Sequence, residues 1–244
     1  MNNRRHQFLI TPYIIKEIGG IIMKKKHFYI ALISLIIFIV YTILVKNVDT
    51  DNVGPNDSIV GFSHINNFFH NITSTNFLLY EVTDWAGIVP IIIGFIYGFV
   101  GLIQWIKRKN IFKVDSNILS LGIFYLMTLG VYIFFEYVVI NRRPVLISGY
   151  LEASYPSSTT MLVLCFMITS INQTNKYCIK TQNRVILKII QALFIIFMVI
   201  GRILSGVHWL TDIVGGIIIS ISLINIYLFF DLLISNYQKK LNIS

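Results

Sequence analysis

Apolar residues along this chain gather into long runs, with polar and charged residues confined to the stretches between them. Six runs stand out: Phe28–Val45, Gly87–Ile106, Asn117–Ile140, Ser157–Ile171, Val185–Gly201 and Asp212–Ile234. Most approach the roughly 20 residues that an α-helix needs to cross about 30 Å of hydrocarbon. The pattern predicts an all-α fold, a six-span transmembrane helical bundle. The first run follows Lys24-Lys25-Lys26 and ends in Lys46-Asn47 without a small-residue cleavage site, so it reads as a retained anchor. Between the first two runs, Phe62, Ile65, Phe69 and Ile72 recur at helical spacing. A helix lying in the membrane interface and an irregular loop both fit that segment. Gly94 and Gly98 form a small-xxx-small pair suited to close helix packing.

Composition agrees. The 244 residues are 55% hydrophobic and only 13% charged, about half the charge of an ordinary soluble domain. Mean hydropathy is +0.72. One membrane domain over residues 28–234 is expected, with short tails at 1–27 and 235–244. Met1 and Met23, the latter just before the lysine cluster, are both candidates for the start of translation; Gly19-Gly20 are read from GGN codons shortly upstream of Met23, as a ribosome-binding site would require. The net charge of +9 does not imply nucleic acid here, because the basic residues are sorted by position. Lys24 to Lys26, Lys107 to Lys109 with Lys113, Lys176 to Arg184, and Lys239-Lys240 all fall on one side of the predicted bundle. By the positive-inside rule both termini are cytoplasmic, and the 141–156 and 202–211 loops are extracytoplasmic. Cys165, within a run, and Cys178, in a basic loop, are expected to be free thiols.

Three short segments at the predicted outer ends carry chemistry. Asn141-Arg142-Arg143-Pro144 sets two arginines against the charge bias of the chain, and guanidinium forks suit phosphate oxygens. Pro156-Ser157-Ser158-Thr159 opens a helix, whose free N–H groups favour anions. Arg202 is followed by His208 and Asp212, four apart. On one helical face, the carboxylate would fix the imidazole tautomer and leave the other nitrogen free to attack. Taken alone, each has a plain structural reading as interfacial anchors, a helix cap and a core pair.

Together and in this order, the three segments resemble the type 2 phosphatidic acid phosphatase family, whose soluble relatives include vanadium haloperoxidases. The resemblance covers the six-span plan and all three segments. It implies that His208 attacks phosphorus to form a phosphohistidine, that Asp212 orients it, and that Arg143, Arg202, Ser157 and the Ser158 backbone hold the phosphate. No metal or other cofactor is implied. Three positions depart from the family pattern: Glu136 stands where the family has a lysine, Thr159 where it has the histidine that protonates the leaving group, and Gly201 where it has a serine.

General acid catalysis contributes about 10²–10⁴ in rate. Its loss costs least when the leaving group is itself a phosphate, so a lipid pyrophosphate suits this chain better than a monoester. Glu152, His64 and His70 are alternative proton donors within the predicted outer loops. The expected partners are a membrane lipid phosphate and the bilayer, and the Ile, Asn and Lys bias points to a bacterial plasma membrane. The alternative is a degenerate relative that binds lipid phosphate or a membrane partner without turnover.

Overall fold

The computed structural model describes residues 3–178 and 180–240, with side chains from residue 19 onward. Eight α-helices follow one another: α1 (Asn3–Asn47), α2 (Ser63–Thr73), α3 (Phe77–Ala86), α4 (Ile88–Arg108), α5 (Ser116–Tyr137), α6 (Ser158–Tyr177), α7 (Thr181–Leu204) and α8 (Leu210–Lys240). A two-stranded antiparallel hairpin, β1 (Asp51–Gly54) and β2 (Ser58–Val60), joins α1 to α2. The choice between Met1 and Met23 as the start turns on residues that lie largely outside the described side chains. Residues 241–244 of the expected C-terminal tail also lie outside the described part, and α8 runs to Lys240 without a break at 234.

Five segments are long and apolar enough to cross a membrane: Gly19–Asn47, Phe77–Arg108, Ser116–Tyr137, Thr181–Leu204 and Leu210–Lys240. Their outward faces are apolar. Leu78, Phe95, Phe99 and Leu126 are each more than 60% exposed, a surface that only lipid or a partner can cover. The second segment begins ten residues earlier than hydropathy suggested, at Phe77, because α3 and α4 adjoin through Gly87. The polar residues Glu81 and Asp84 mask the start of α3 in the sequence.

Helix α6, expected as the fourth span, is not among the five apolar segments. It is instead the most enclosed helix of the bundle, packed against α4, α5, α7 and α8. Its C-terminal half spends its polar side chains on those neighbours. Gln173 donates to the Tyr227 hydroxyl at 2.7 Å and accepts from Asn117 at 2.7 Å. Ser170 accepts from Gln191 at 2.8 Å, and Thr169 meets the Tyr125 hydroxyl at 3.2 Å. Such bonds join helices where apolar surface alone gives little drive to associate.

Phe62 lies just outside α2, at its N-cap, and stacks on Tyr41, whereas Ile65, Phe68 and Ile72 are exposed along the helix. Helices α1 and α8 make the most extensive pairing in the bundle, tied where Ser222 Oγ donates to the Ala31 carbonyl at 3.0 Å. The α7–α8 turn is pinned at Gly206, whose φ of +64° favours glycine and whose missing side chain leaves room for the Ser74 carbonyl. A Cβ there would stand 1.9 Å from that oxygen. Gly206→Ala is therefore expected to destabilise the protein by more than about 1 kcal/mol, read as a lower thermal midpoint in detergent.

Candidate active site

The loop that follows α5 turns back on itself. Arg143 N–H donates to the Glu152 carbonyl at 3.1 Å, and Ser154 N–H to the Asn141 carbonyl at 3.0 Å. This pairing alternates the two arginines. Arg142 points outward, where its guanidinium donates to the Leu151 carbonyl at 2.9 Å and its own carbonyl accepts from Trp209 Nε1 at 2.7 Å. Arg143 points inward. Its Nη1 lies 3.2 Å from His208 Nε2 and its Nε lies 3.0 Å from the Glu152 carboxylate. Glu136, seven residues before Arg143, is not its ion-pair partner. Because α5 ends at Tyr137, the helical register is lost before residue 143, and Glu152 takes that place.

His208 and Asp212 do not share a helix, since α8 begins at Leu210. They meet through the helix cap. Asp212 Oδ2 accepts from the Trp209 N–H at 2.9 Å, the reach-back of a capping box, and lies 3.7 Å from His208 Nδ1. The carboxylate is fully buried and the imidazole nearly so. Burial, together with the positive charges of Arg143 and Arg202, holds the His208 pKa well below the usual histidine value, so the ring is neutral at physiological pH.

Ser157 caps α6. Its Oγ accepts from the Thr160 N–H at 3.4 Å and the Thr160 hydroxyl at 3.0 Å, and its own N–H donates to the Asp212 carbonyl at 2.9 Å. The serine hydroxyl is thus turned into the cap, and Ser158 rather than Ser157 lines the cavity described next.

Arg202 is 1% exposed at its side chain. One nitrogen, Nη2, serves two partners, the Asp84 carboxylate at 2.7 Å and the Thr159 hydroxyl at 2.5 Å. Its Nε and Nη1 are buried without a partner, which is costly unless a ligand completes them. The Tyr80 ring lies 5.1 Å from the Arg202 guanidinium and 6.0 Å from that of Arg143. Arg143 and Arg202, with Thr159, Glu136 and Glu152, line a cavity of about 1240 Å³, and Arg142 stands at its edge. Away from the arginines its walls are apolar, formed by Ile88, Ile91, Phe95, Leu126, Leu129 and Phe166. His208 is not on that wall, because Arg143 covers its Nε2.

Sequence reasoning missed Tyr80 and Asp84. They sit four apart on α3, one turn of helix, and the available signal was that spacing of an aromatic and an acid just before an apolar run. Of the alternative proton donors, Glu152 lines the cavity. His64 pairs instead with Asp49 on the surface, and His70 packs edge-on against Trp209.

Residues 127–233 match the family model of the PAP2 superfamily. A search of curated proteins returned no match. Among solved structures, this chain resembles a transmembrane PAP2-type phosphatidylglycerolphosphate phosphatase from Bacillus subtilis, with a TM-score of 0.50 and 16% identity over 87% of this chain and 97% of that one. At that identity the likeness is one of fold, and it agrees with a multi-pass, mainly helical membrane protein.

The unpaired nitrogens of Arg202 make a direct prediction. Inorganic phosphate should raise the thermal midpoint of the purified protein in detergent, and Arg202→Ala should remove most of that shift while Lys109→Ala, far from the cavity, leaves it in place.

Proposed function

We propose that this protein is a lipid phosphatase that acts on a phosphate or pyrophosphate headgroup through a phosphohistidine on His208. The observation that carries the reading is the form of the cavity. Two guanidinium groups close one end beside a neutral imidazole, and an apolar cleft large enough for lipid chains runs from them. A headgroup phosphate would take Arg143 away from His208 Nε2 and fill the open donors of Arg202, with the Ser158 backbone at the α6 N-terminus adding to the anion site. Nε2 then attacks phosphorus in line while Asp212 steadies the imidazolium through Nδ1. Arginine forks stabilise the transferring group by preorganised charge.

Thr159 cannot replace an imidazole as proton donor, and its hydroxyl is held by Arg202. A leaving group that departs without protonation fits best, which favours lipid pyrophosphates over monoesters. The degenerate, binding-only reading rests on the same substitution together with Glu136. The cavity and the uncovered donors of Arg202 favour turnover.

We also place six helices across the bilayer, α6 included as the enclosed fourth, with both termini cytoplasmic and the site at the extracytoplasmic face of a bacterial plasma membrane. The sorting of basic residues supports this orientation. A membrane-impermeant maleimide tests it in intact cells. Native Cys178, partly exposed in the basic α6–α7 turn, should stay unlabelled, and Tyr150→Cys in the 141–157 loop should label. The reverse pattern would put the site inside.

The activity test is phosphate release from lipid mono- and diphosphates by purified protein with chelator present. His208→Ala should lower release to background, and equal release from both proteins would remove the enzyme reading. If the neutral His208 is the nucleophile, kcat/KM should hold as pH falls through about 6.5, the ordinary histidine value, and decline only below it. A fall centred at or above that value would contradict the assignment.

A further inference from the structure

We infer that Asp84 is the general base for the second half of the reaction, drawing the proton from the water that hydrolyses the phosphohistidine. The inference deepens the phosphatase reading and rests on it. It starts from the direction of attack. His208 is buried behind Arg143 and is not part of the cavity wall. A phosphate bound at the arginines is therefore attacked from the protein interior, and the bond that breaks points into the cavity. After the lipid departs, water must come from the cavity side to stay in line. The base for that water has to stand there.

Asp84 does. Its carboxylate lies on the cavity wall, 57% exposed at the side chain, and is held at 2.7 Å by the same Arg202 nitrogen that holds Thr159. The ion pair fixes its position beside the phosphate donors, with its exposed side turned to the cavity from which the water comes. Glu152 is also on the wall, but it is bound to Arg143, the arginine that covers the nucleophile. Glu136 shares the wall as well, but no arginine among the described residues pairs with it.

The packing that brings Asp84 into place depends on a glycine. Helix α3 approaches α7 at Gly201, where a Cβ would stand 2.6 Å from Thr83 Cγ2. Any larger residue at 201 would push α3, and with it Tyr80 and Asp84, away from Arg202. The departures at 159 and 201 thus act together. A threonine leaves the second segment without a titratable group, and a glycine lets a carboxylate from a neighbouring helix reach the same arginine.

In the step itself, the water oxygen bonds to phosphorus, the P–Nε2 bond breaks and its electron pair returns to the imidazole. The water proton passes to an Asp84 oxygen and from there to solvent through the exposed side of the carboxylate. The products are orthophosphate and free enzyme. No acid is needed in the first half if the leaving group is a lipid phosphate.

The test uses the full chain in detergent micelles with a prenyl diphosphate carrying ³²P in its terminal phosphate, under rapid quench. Asp84→Asn should still form the phosphohistidine, seen as acid-labile, base-stable label approaching one per chain. Its steady-state rate should fall by about 10²–10⁴. Asp84→Glu should restore part of the rate, and Glu152→Gln should not accumulate label. Gly201→Ser should shift turnover in the same direction as Asp84→Asn. Wild-type turnover in Asp84→Asn, or a lost rate without accumulated label, would overturn the assignment while leaving the phosphatase reading intact. Absence of both label and phosphate release in the wild type would bring down that reading and this one together.

Discussion

The site is governed by the need to balance two buried positive charges placed against one histidine. Guanidinium groups taken out of water cost several kcal/mol each unless opposite charges and hydrogen bonds accompany them. Arg143 is matched by Glu152 and Arg202 by Asp84, and the Tyr80 ring presents its face to both. Within these two pairs the charges cancel, and His208 beside them is uncharged. The arrangement also leaves specific vacancies in its hydrogen bonding, at Arg202 Nε and Nη1. An incoming phosphate finds donors already oriented, so little reorganisation is needed when charge shifts during the reaction.

Much of the fold was legible because the bilayer imposes a simple rule on long apolar helices. The spans ending in α1, α4, α5, α7 and α8 were read from hydropathy to within a few residues at most boundaries. The exceptions have physical causes. Helix α3 was missed as part of a span because Glu81 and Asp84 break its apolar run, and one of them does so in order to reach Arg202. The start of α6 was placed well, but its end was cut short at Ile171, since the polar stretch from Asn172 to Lys176 looks like loop when its partners on α5, α7 and α8 are unknown.

The site was legible as a set of residues and not as a geometry. The order of Arg143, Ser157, Arg202, His208 and Asp212 along the chain drew attention to the right loops. Three relations could not be read from that order. Whether Arg142 or Arg143 faces inward depends on a loop pairing set by Glu152 and Asn141. Ser157 is committed to its cap, which depends on Thr160. The ion pair between Asp84 and Arg202 spans more than a hundred residues and leaves no local pattern at all.

Helix α6 has a bearing on how the protein comes to be assembled. Its Gln173 sits between Asn117 of α5 and Tyr227 of α8 in one chain of hydrogen bonds, so the helix gains its stability from neighbours on both sides of it in the sequence. Alone in hydrocarbon it would carry bare amide and hydroxyl groups, each costing several kcal/mol. Its packing is complete only once the last helix has been made, which couples completion of the chain to the closing of the pocket that α6 floors.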